Sequence, residues 1–181
     1  MIIMIGARKR QGKDTFADML KNHLLRPSKK MSCIQHARET MVKLFPILSM
    51  SKDTDDKDKY RETIISIVDA CLKTQELCFA IDLHNRYQLQ SDIFIVPDLR
   101  RKCEMDFFKG YLKEEAIFIL VDNPRLEKVD SYGEGSIDDH ELWDYVVENN
   151  GTLEDLESKA KVIAREINFG LKDPVSPVYL S

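Results

Sequence analysis

The residues with the clearest chemical use stand near the amino terminus, in MIIMIGARKRQGKDTFAD. Gly12-Lys13 is followed by two oxygen-bearing side chains, Asp14 and Thr15, and preceded by Arg8, Lys9 and Arg10. A glycine lets a backbone approach a ligand closely, and a lysine reaches an oxyanion as a point charge. The spacing is near that of a phosphate-binding loop, G-x-x-x-x-G-K-[ST]. Two positions depart from it. Ala7 holds the first glycine position, with Gly6 one residue early, and Asp14 replaces the hydroxyl residue that normally serves magnesium. A carboxylate at Asp14 can also ligate magnesium, directly or through water. The plain alternative is a surface turn in which Arg8, Lys9 and Arg10 are only solvated.

A second chemical stretch is IFIVPDLRR. Ligands of open α/β sheets collect at the carboxyl ends of strands. Asp98 there could hold magnesium or orient an attacking group, and Arg100 could hold phosphate. The competing reading is an ordinary Asp–Arg ion pair. A third stretch is DKDKYRE, where Lys57 and Arg61 are four residues apart and share a helix face. Two cations on one face suit an anionic substrate, and a solvated charge run is the alternative. His23, His36 and His84 have no metal-like spacing.

The elements that position these groups can be read from the apolar pattern. Met1–Ile5, Asp92–Val96 and Ala116–Val121 are continuous apolar runs, as expected of strands buried on both faces. Met31–Gln35 and Tyr145–Val147 are predicted as shorter strands. Helices are predicted over 13–25, 37–48 (interrupted or ended near Pro46), 60–72, 75–89, 102–111 and 152–167, the last capped by Thr152 with Asp155 three residues on. Residues 123–140 are polar and read as a mobile loop, and the tail LKDPVSPVYLS reads as extended and weakly ordered. Strands alternating with helices give an α/β fold with a mainly parallel sheet.

The length of 181 residues suits one domain with a sizeable core. A net charge of -4 argues against a general nucleic-acid binder. No stretch is long and apolar enough to span a bilayer, so no membrane partner and a cytoplasmic location are expected. Cys33, Cys71, Cys78 and Cys103 form no C-x-x-C pair, and free thiols are expected.

GKDTFAD, with the D-x-R stretch after a strand, the Lys57–Arg61 segment and a closing V-x-N-N-G-T-L-E-D-L, resembles the phage-type deoxynucleoside monophosphate kinases. The related animal-type phosphomevalonate kinases carry a similar basic loop followed by GKD. In both families Asp follows the lysine, so Asp14 becomes an identifying mark, while Ala7 remains a departure. The resemblance spans roughly residues 3–167. It implies a P-loop kinase fold, an α/β domain over 1–181 with a five-stranded, mainly parallel sheet flanked by helices. A helical acceptor-binding region is implied over 36–89 and a lid over 123–140. It further implies ATP and Mg2+ as cofactors and phosphoryl transfer to a nucleoside monophosphate. Lys13, Asp98, Arg100 and Arg125 are the implied catalytic groups, Arg125 as a lid arginine. Arg8, Arg10, Gly12, Lys13, Asp14, Thr15, Asn150 and Gly151 are implied to hold ATP, with Asp14 and Asp98 toward the metal. Lys57, Arg61, Arg100, His140 and Glu141 are implied to contact the acceptor. Phe79, Asn85, Tyr87 and Gln88 are candidates for a base, or else plain core and helix surface. The alternatives are a phosphomevalonate acceptor and a non-enzymatic interaction protein with a degenerate site. A homodimer is left open.

Overall fold

The computed structural model describes residues 1–50, 54–88, 92–112, 115–127, 139–170 and 177–180. Two compact units emerge, one formed by Met1–Ser32 with Leu89–Ser181, the other by Cys33–Gln88.

The first unit is built on a six-stranded sheet in the order β2-β3-β1-β4-β5-β6, with every pairing parallel. Its strands are β1 (Ile2–Gly6), β2 (Ser28–Lys30), β3 (Ile93–Leu99), β4 (Ala116–Asp122), β5 (Tyr145–Glu148) and β6 (Val178–Leu180). The three apolar runs form the centre, β3-β1-β4, and are buried on both faces. Helices α1 (Lys13–His23) and α7 (Leu153–Phe169) pack together on one face. There Phe16, Ala17 and Leu20 of α1 and Leu156, Ala160, Ile163 and Ala164 of α7 meet Ile3, Ile5, Ile95, Ile117 and Ile119. Each fully buried large side chain in this cluster is worth about 1.5–3 kcal/mol of transfer free energy. Helix α6 (Lys102–Leu112) buries Met105 and Phe108, and its Lys109 ammonium stands 5.2 Å from the Phe118 ring centroid.

Two strands differ from the sequence reading. The second strand is Ser28–Lys30, not 31–35, and the tail supplies a sixth strand, so the sheet has six strands rather than five. Both are three-residue edge strands. β2 has the sequence SKK, and its lysines reach out to Asp92 and Asp18 at 2.7 Å each. Such strands are held by backbone pairing and carry no apolar signature. In the long loop, residues 128–138 lie outside the described residues.

The second unit is helical: α2 (Gln35–Leu44), α3 (Pro46–Met50), α4 (Thr54–Thr74) and α5 (Cys78–Gln88). As expected, Pro46 interrupts the helical stretch over 37–48, since proline has no N–H to continue the ladder. Ala37, Met41, Ile64, Val68 and Phe79 make its core. Arg86 joins α5 to α2, with Glu39 at 3.2 Å and Asp82 at 2.9 Å. Hydrogen bonds from Arg86 and then Gln35 hold the Glu39 carboxyl below its usual range. The four cysteines are free thiols.

Candidate active site

The carboxyl ends of the parallel strands bring most of the sequence candidates of the first unit to one edge. β1 ends at Gly6, and the chain turns through residues 7–12 into α1. Ala7 is 2% exposed and keeps a negative φ, so the missing glycine costs the loop nothing there. The demanding positions are Arg10, at φ 68°, and Gly12, at φ 91°. Among the described residues Arg10 is the one non-glycine with positive φ, a conformation that costs roughly 1–2 kcal/mol. Gly12 is required twice. Its φ favours glycine, and a Cβ would stand 2.4 Å from Asn149 Nδ2.

Gly12 is also the N-cap of α1, and no side chain caps it. The first N–H groups of a helix have no intrahelical partner, and the helix dipole adds positive potential there. Anions bind such a terminus through both effects. Lys13 and Asp14 follow, their side chains paired at 3.0 Å, with Lys13 the more covered of the two. Thr15 is exposed beside them. Arg8 is largely buried, and its backbone N–H donates to Gln11 Oε1 at 2.8 Å. Arg10 is exposed.

Asp98 reaches the same edge on β3. The register shifts there: Met4 faces Val96, whereas Gly6 faces Leu99, so β3 carries one extra residue at Pro97-Asp98. Pro97 cannot donate to the ladder, and a bulge accommodates it. Bulges re-aim side chains near functional sites, and here the Asp98 carboxylate accepts the Ser32 hydroxyl. Arg100 follows β3, its backbone N–H directed to Glu104 Oε2 at 3.5 Å. Arg101 is a structural group. It holds the buried Glu104 at 2.7 Å. Arg125 is exposed in the turn just after β4, where its N–H donates to Asn123 Oδ1 at 3.0 Å. Asn150 and Gly151 follow β5 at this edge, and Asn150 donates to Glu148 Oε2 at 3.0 Å.

Not every candidate gathers there. His140 and Glu141 form a short 3-10 turn ahead of β5, at the opposite end of that strand, where the His140 ring lies 6.2 Å from Tyr179. Their placement lends no support to contact with a ligand at the loop. Lys57 and Arg61 lie on α4 of the helical unit. Arg61 is exposed, and the Lys57 side chain lies outside the described part. Phe79 is core of that unit and Tyr87 is buried, which favours the plain reading of both. The side chain of Gln88 lies outside the described part.

Three residues carry the loop: Gln11 and Asp122, which the sequence reading passed over, and Asn149, which it placed only in a turn after a strand. Gln11, 2% exposed, donates from Nε2 to Asp122 Oδ1 at 2.9 Å. Its carbonyl accepts from Asn149 Nδ2 at 2.9 Å. Asn149 N–H in turn donates to the Asp122 carbonyl at 2.7 Å. Asp122 closes the apolar run of β4, and a carboxylate at a strand end is the one signal that could have marked it.

The profile of the deoxynucleotide monophosphate kinase family matches residues 73–160. The resemblance to deoxynucleotide monophosphate kinases holds. With it comes the enzyme class, a nucleotide-binding phosphotransferase of the nucleoside monophosphate kinase type, acting on a small-molecule nucleotide. The matched segment contains Asp98, Arg100, Arg125 and the NNG turn, and it does not contain the GKDT loop. Loop geometry and family match are therefore separate observations. The fold is similar to that of an unliganded sugar kinase from Janibacter sp. HTCC2649, with a TM-score of 0.51 and 11% identity over 93% of this chain and 96% of that one. A shikimate kinase from Aquifex aeolicus vf5 aligns less well, with a TM-score of 0.46 and 14% identity over 94% and 99% of the two chains. No curated protein matches the chain significantly. No described helix is long and apolar enough to cross a membrane.

Proposed function

We propose that this enzyme transfers the γ-phosphoryl group of ATP to a deoxynucleoside monophosphate, with magnesium. The observation that carries the reading is the uncapped, left-handed entry into α1, with Lys13 in its first turn, beside strand ends that bear Asp98 and Asp122. The backbone N–H groups at the start of α1 and the Lys13 ammonium would hold the outer phosphates and meet the charge that spreads over them in the transition state. Thr15 adds a hydroxyl at the same turn. Asn150 and Gly151 would lie along the adenine end of the nucleotide. Arg8 and Arg10 add positive charge to the loop, and Arg125 would approach the transferring group from the turn after β4.

The donor set fits magnesium in the form that ion usually takes, one or two carboxylates completed by phosphate oxygens and water. Asp14 and Asp98 are those carboxylates. Among the described residues no cluster of three or more His, Cys, Asp or Glu could hold a metal without the phosphates. Magnesium would supply neutralisation of the charge developing on the phosphates. Asp98, aimed by the bulge in β3, would orient the attacking oxygen of the acceptor, and Arg100 would hold acceptor phosphate. Arg61 and Lys57, four apart on α4, would contribute cations to the acceptor. No side-chain nucleophile is needed, because positioning and electrostatic stabilisation supply the catalysis. The helical unit would bind the acceptor, and the segment over 123–140 would act as a lid.

The test is ADP release with magnesium-ATP and dGMP, dTMP, dCMP, dAMP, 5-hydroxymethyl-dCMP or 5-phosphomevalonate, with Lys13→Ala as control. Turnover on a nucleotide, lost in the variant, is expected. Turnover on phosphomevalonate alone would overturn the acceptor, and silence in folded protein would overturn the reaction.

A further inference from the structure

The phosphate loop holds two left-handed residues, Arg10 and Gly12, within three positions. Such a backbone persists only where its surroundings over-determine it. The surroundings here form a closed circuit. The Gln11 side chain folds back so that Oε1 accepts from Arg8 N–H at 2.8 Å, which closes the loop on itself. Nε2 of the same amide ties the loop to the end of β4 through Asp122 Oδ1 at 2.9 Å. The Gln11 carbonyl ties it to the end of β5 through Asn149 Nδ2 at 2.9 Å. Asn149 N–H on the Asp122 carbonyl, at 2.7 Å, joins the two strand ends. Gln11 is buried, so an unmade bond here carries the full desolvation cost of the group left behind.

We infer that Asp122 and Asn149 are positioning residues for phosphoryl transfer. They hold the loop in its phosphate-binding shape before the nucleotide arrives. Neither is assigned contact with the reacting atoms. They act through Gln11, and the circuit also links the loop to the turn that carries Asn150 and Gly151. Preorganised donors need no rearrangement at the moment of reaction, which is the source of their effect. A loop released from β4 and β5 would have to be ordered by the nucleotide itself, and the ordering would weaken apparent binding.

The amide of Gln11 gives the inference a directional test. It must accept on one side and donate on the other. Gln11→Glu keeps the shape and the acceptor for Arg8 N–H. It places a second carboxylate oxygen against Asp122 Oδ1, across a contact of 2.9 Å. Asp122→Asn in the same chain then supplies the missing donor, and the bond re-forms with its direction reversed.

The experiment measures KM for magnesium-ATP, KM for the acceptor, kcat and thermal stabilisation by magnesium-ATP in five proteins: wild type, Gln11→Glu, Asp122→Asn, the double variant and Asn149→Ala. Gln11→Glu is expected to raise KM for ATP about 10- to 100-fold, the range of one hydrogen bond to a charged group. Acceptor KM should stay within about 3-fold of wild type, a factor worth under 1 kcal/mol. The double variant should recover most of the loss, and Asn149→Ala should shift KM for ATP in the same direction as Gln11→Glu. An unchanged KM in Gln11→Glu and Asn149→Ala, or a double variant no better than Gln11→Glu, would overturn the inference. Should Gln11→Glu fail to fold, the double variant and Asn149→Ala still decide it. The inference rests on the kinase reading above. A wild-type protein with neither magnesium-ATP stabilisation nor turnover would overturn both, whereas a stabilised wild type with unmoved variants would overturn the positioning role alone.

Discussion

Helices α1 and α7 both begin at the carboxyl edge of the same sheet, and their first turns are made in opposite ways. α7 opens on a capping box. The Thr152 hydroxyl accepts from Asp155 N–H at 3.2 Å, and Asp155 Oδ2 accepts from Thr152 N–H at 2.8 Å. α1 opens on Gly12, which has no side chain to cap with. The two termini carry the same backbone donors and the same dipole. At α7 the chain's own oxygens use the donors. At α1 the glycine forgoes only a few tenths of a kcal/mol of cap stabilisation, and under the proposed function the uncapped donors would meet an anion. Under the proposed function, the two helix starts thus differ in who satisfies the first N–H groups.

The sharpest way to break the contrast is at Lys13. Lys13→Ala should lower kcat/KM by about 10²–10³-fold, the range seen when one transition-state donor is removed. Its melting temperature should stay close to wild type, because among the described residues the side chain pairs only with the exposed Asp14. A variant that instead melts early with unchanged kcat/KM would make α1 an ordinary helix start. Gly12→Ala comes next. It should cost about 1–2 kcal/mol in stability, from the positive φ alone, and lose magnesium-ATP stabilisation. Adding Asn149→Ala should relieve the contact but not the backbone penalty. Chemical denaturation of the two proteins separates these parts.

At α7 the same kind of change should have the reverse profile. Thr152→Ala is expected to cost about 1 kcal/mol, read by urea unfolding, with kcat/KM unchanged. The smallest expected effect is on pH. The hydrogen bonds from Thr152 hold the Asp155 carboxyl below its ordinary value. A depressed carboxyl contributes stability that is complete above its unfolded value and lost as pH falls through its folded one. Wild type should therefore lose a small increment of stability on acidification, below the ordinary carboxylate range, and Asp155→Asn should lack that increment. Equal acid profiles for the two proteins would remove the cap from the account.

The parts of this contrast were unequally legible in the sequence. The α7 cap could be read from Thr152 and Asp155, because a capping box is local. The GKDT loop could be read for the same reason, and β1, β3 and β4 announced themselves as apolar runs. Gln11, Asp122 and Asn149 could not be linked, because their bonds join residues 111 and 138 positions apart and depend on strand register. Ala7 looked like a defect because the motif counts glycines, whereas the loop places its left-handed residues at Arg10 and Gly12. β2 and β6 were missed because backbone pairing at an edge leaves no pattern in the side chains. His140 and Glu141 share a neighbourhood in sequence with the loop after β4 and lie instead ahead of β5.

Residue-resolved amide NMR of the full chain, titrated with magnesium-ATP, reads the two helix starts side by side. Saturable shifts are expected at the N–H groups of Lys13, Asp14 and Thr15, with those of Leu153, Glu154 and Asp155 nearly unmoved. Unmoved amides at the start of α1 under saturating magnesium-ATP would contradict the proposed function of that helix start.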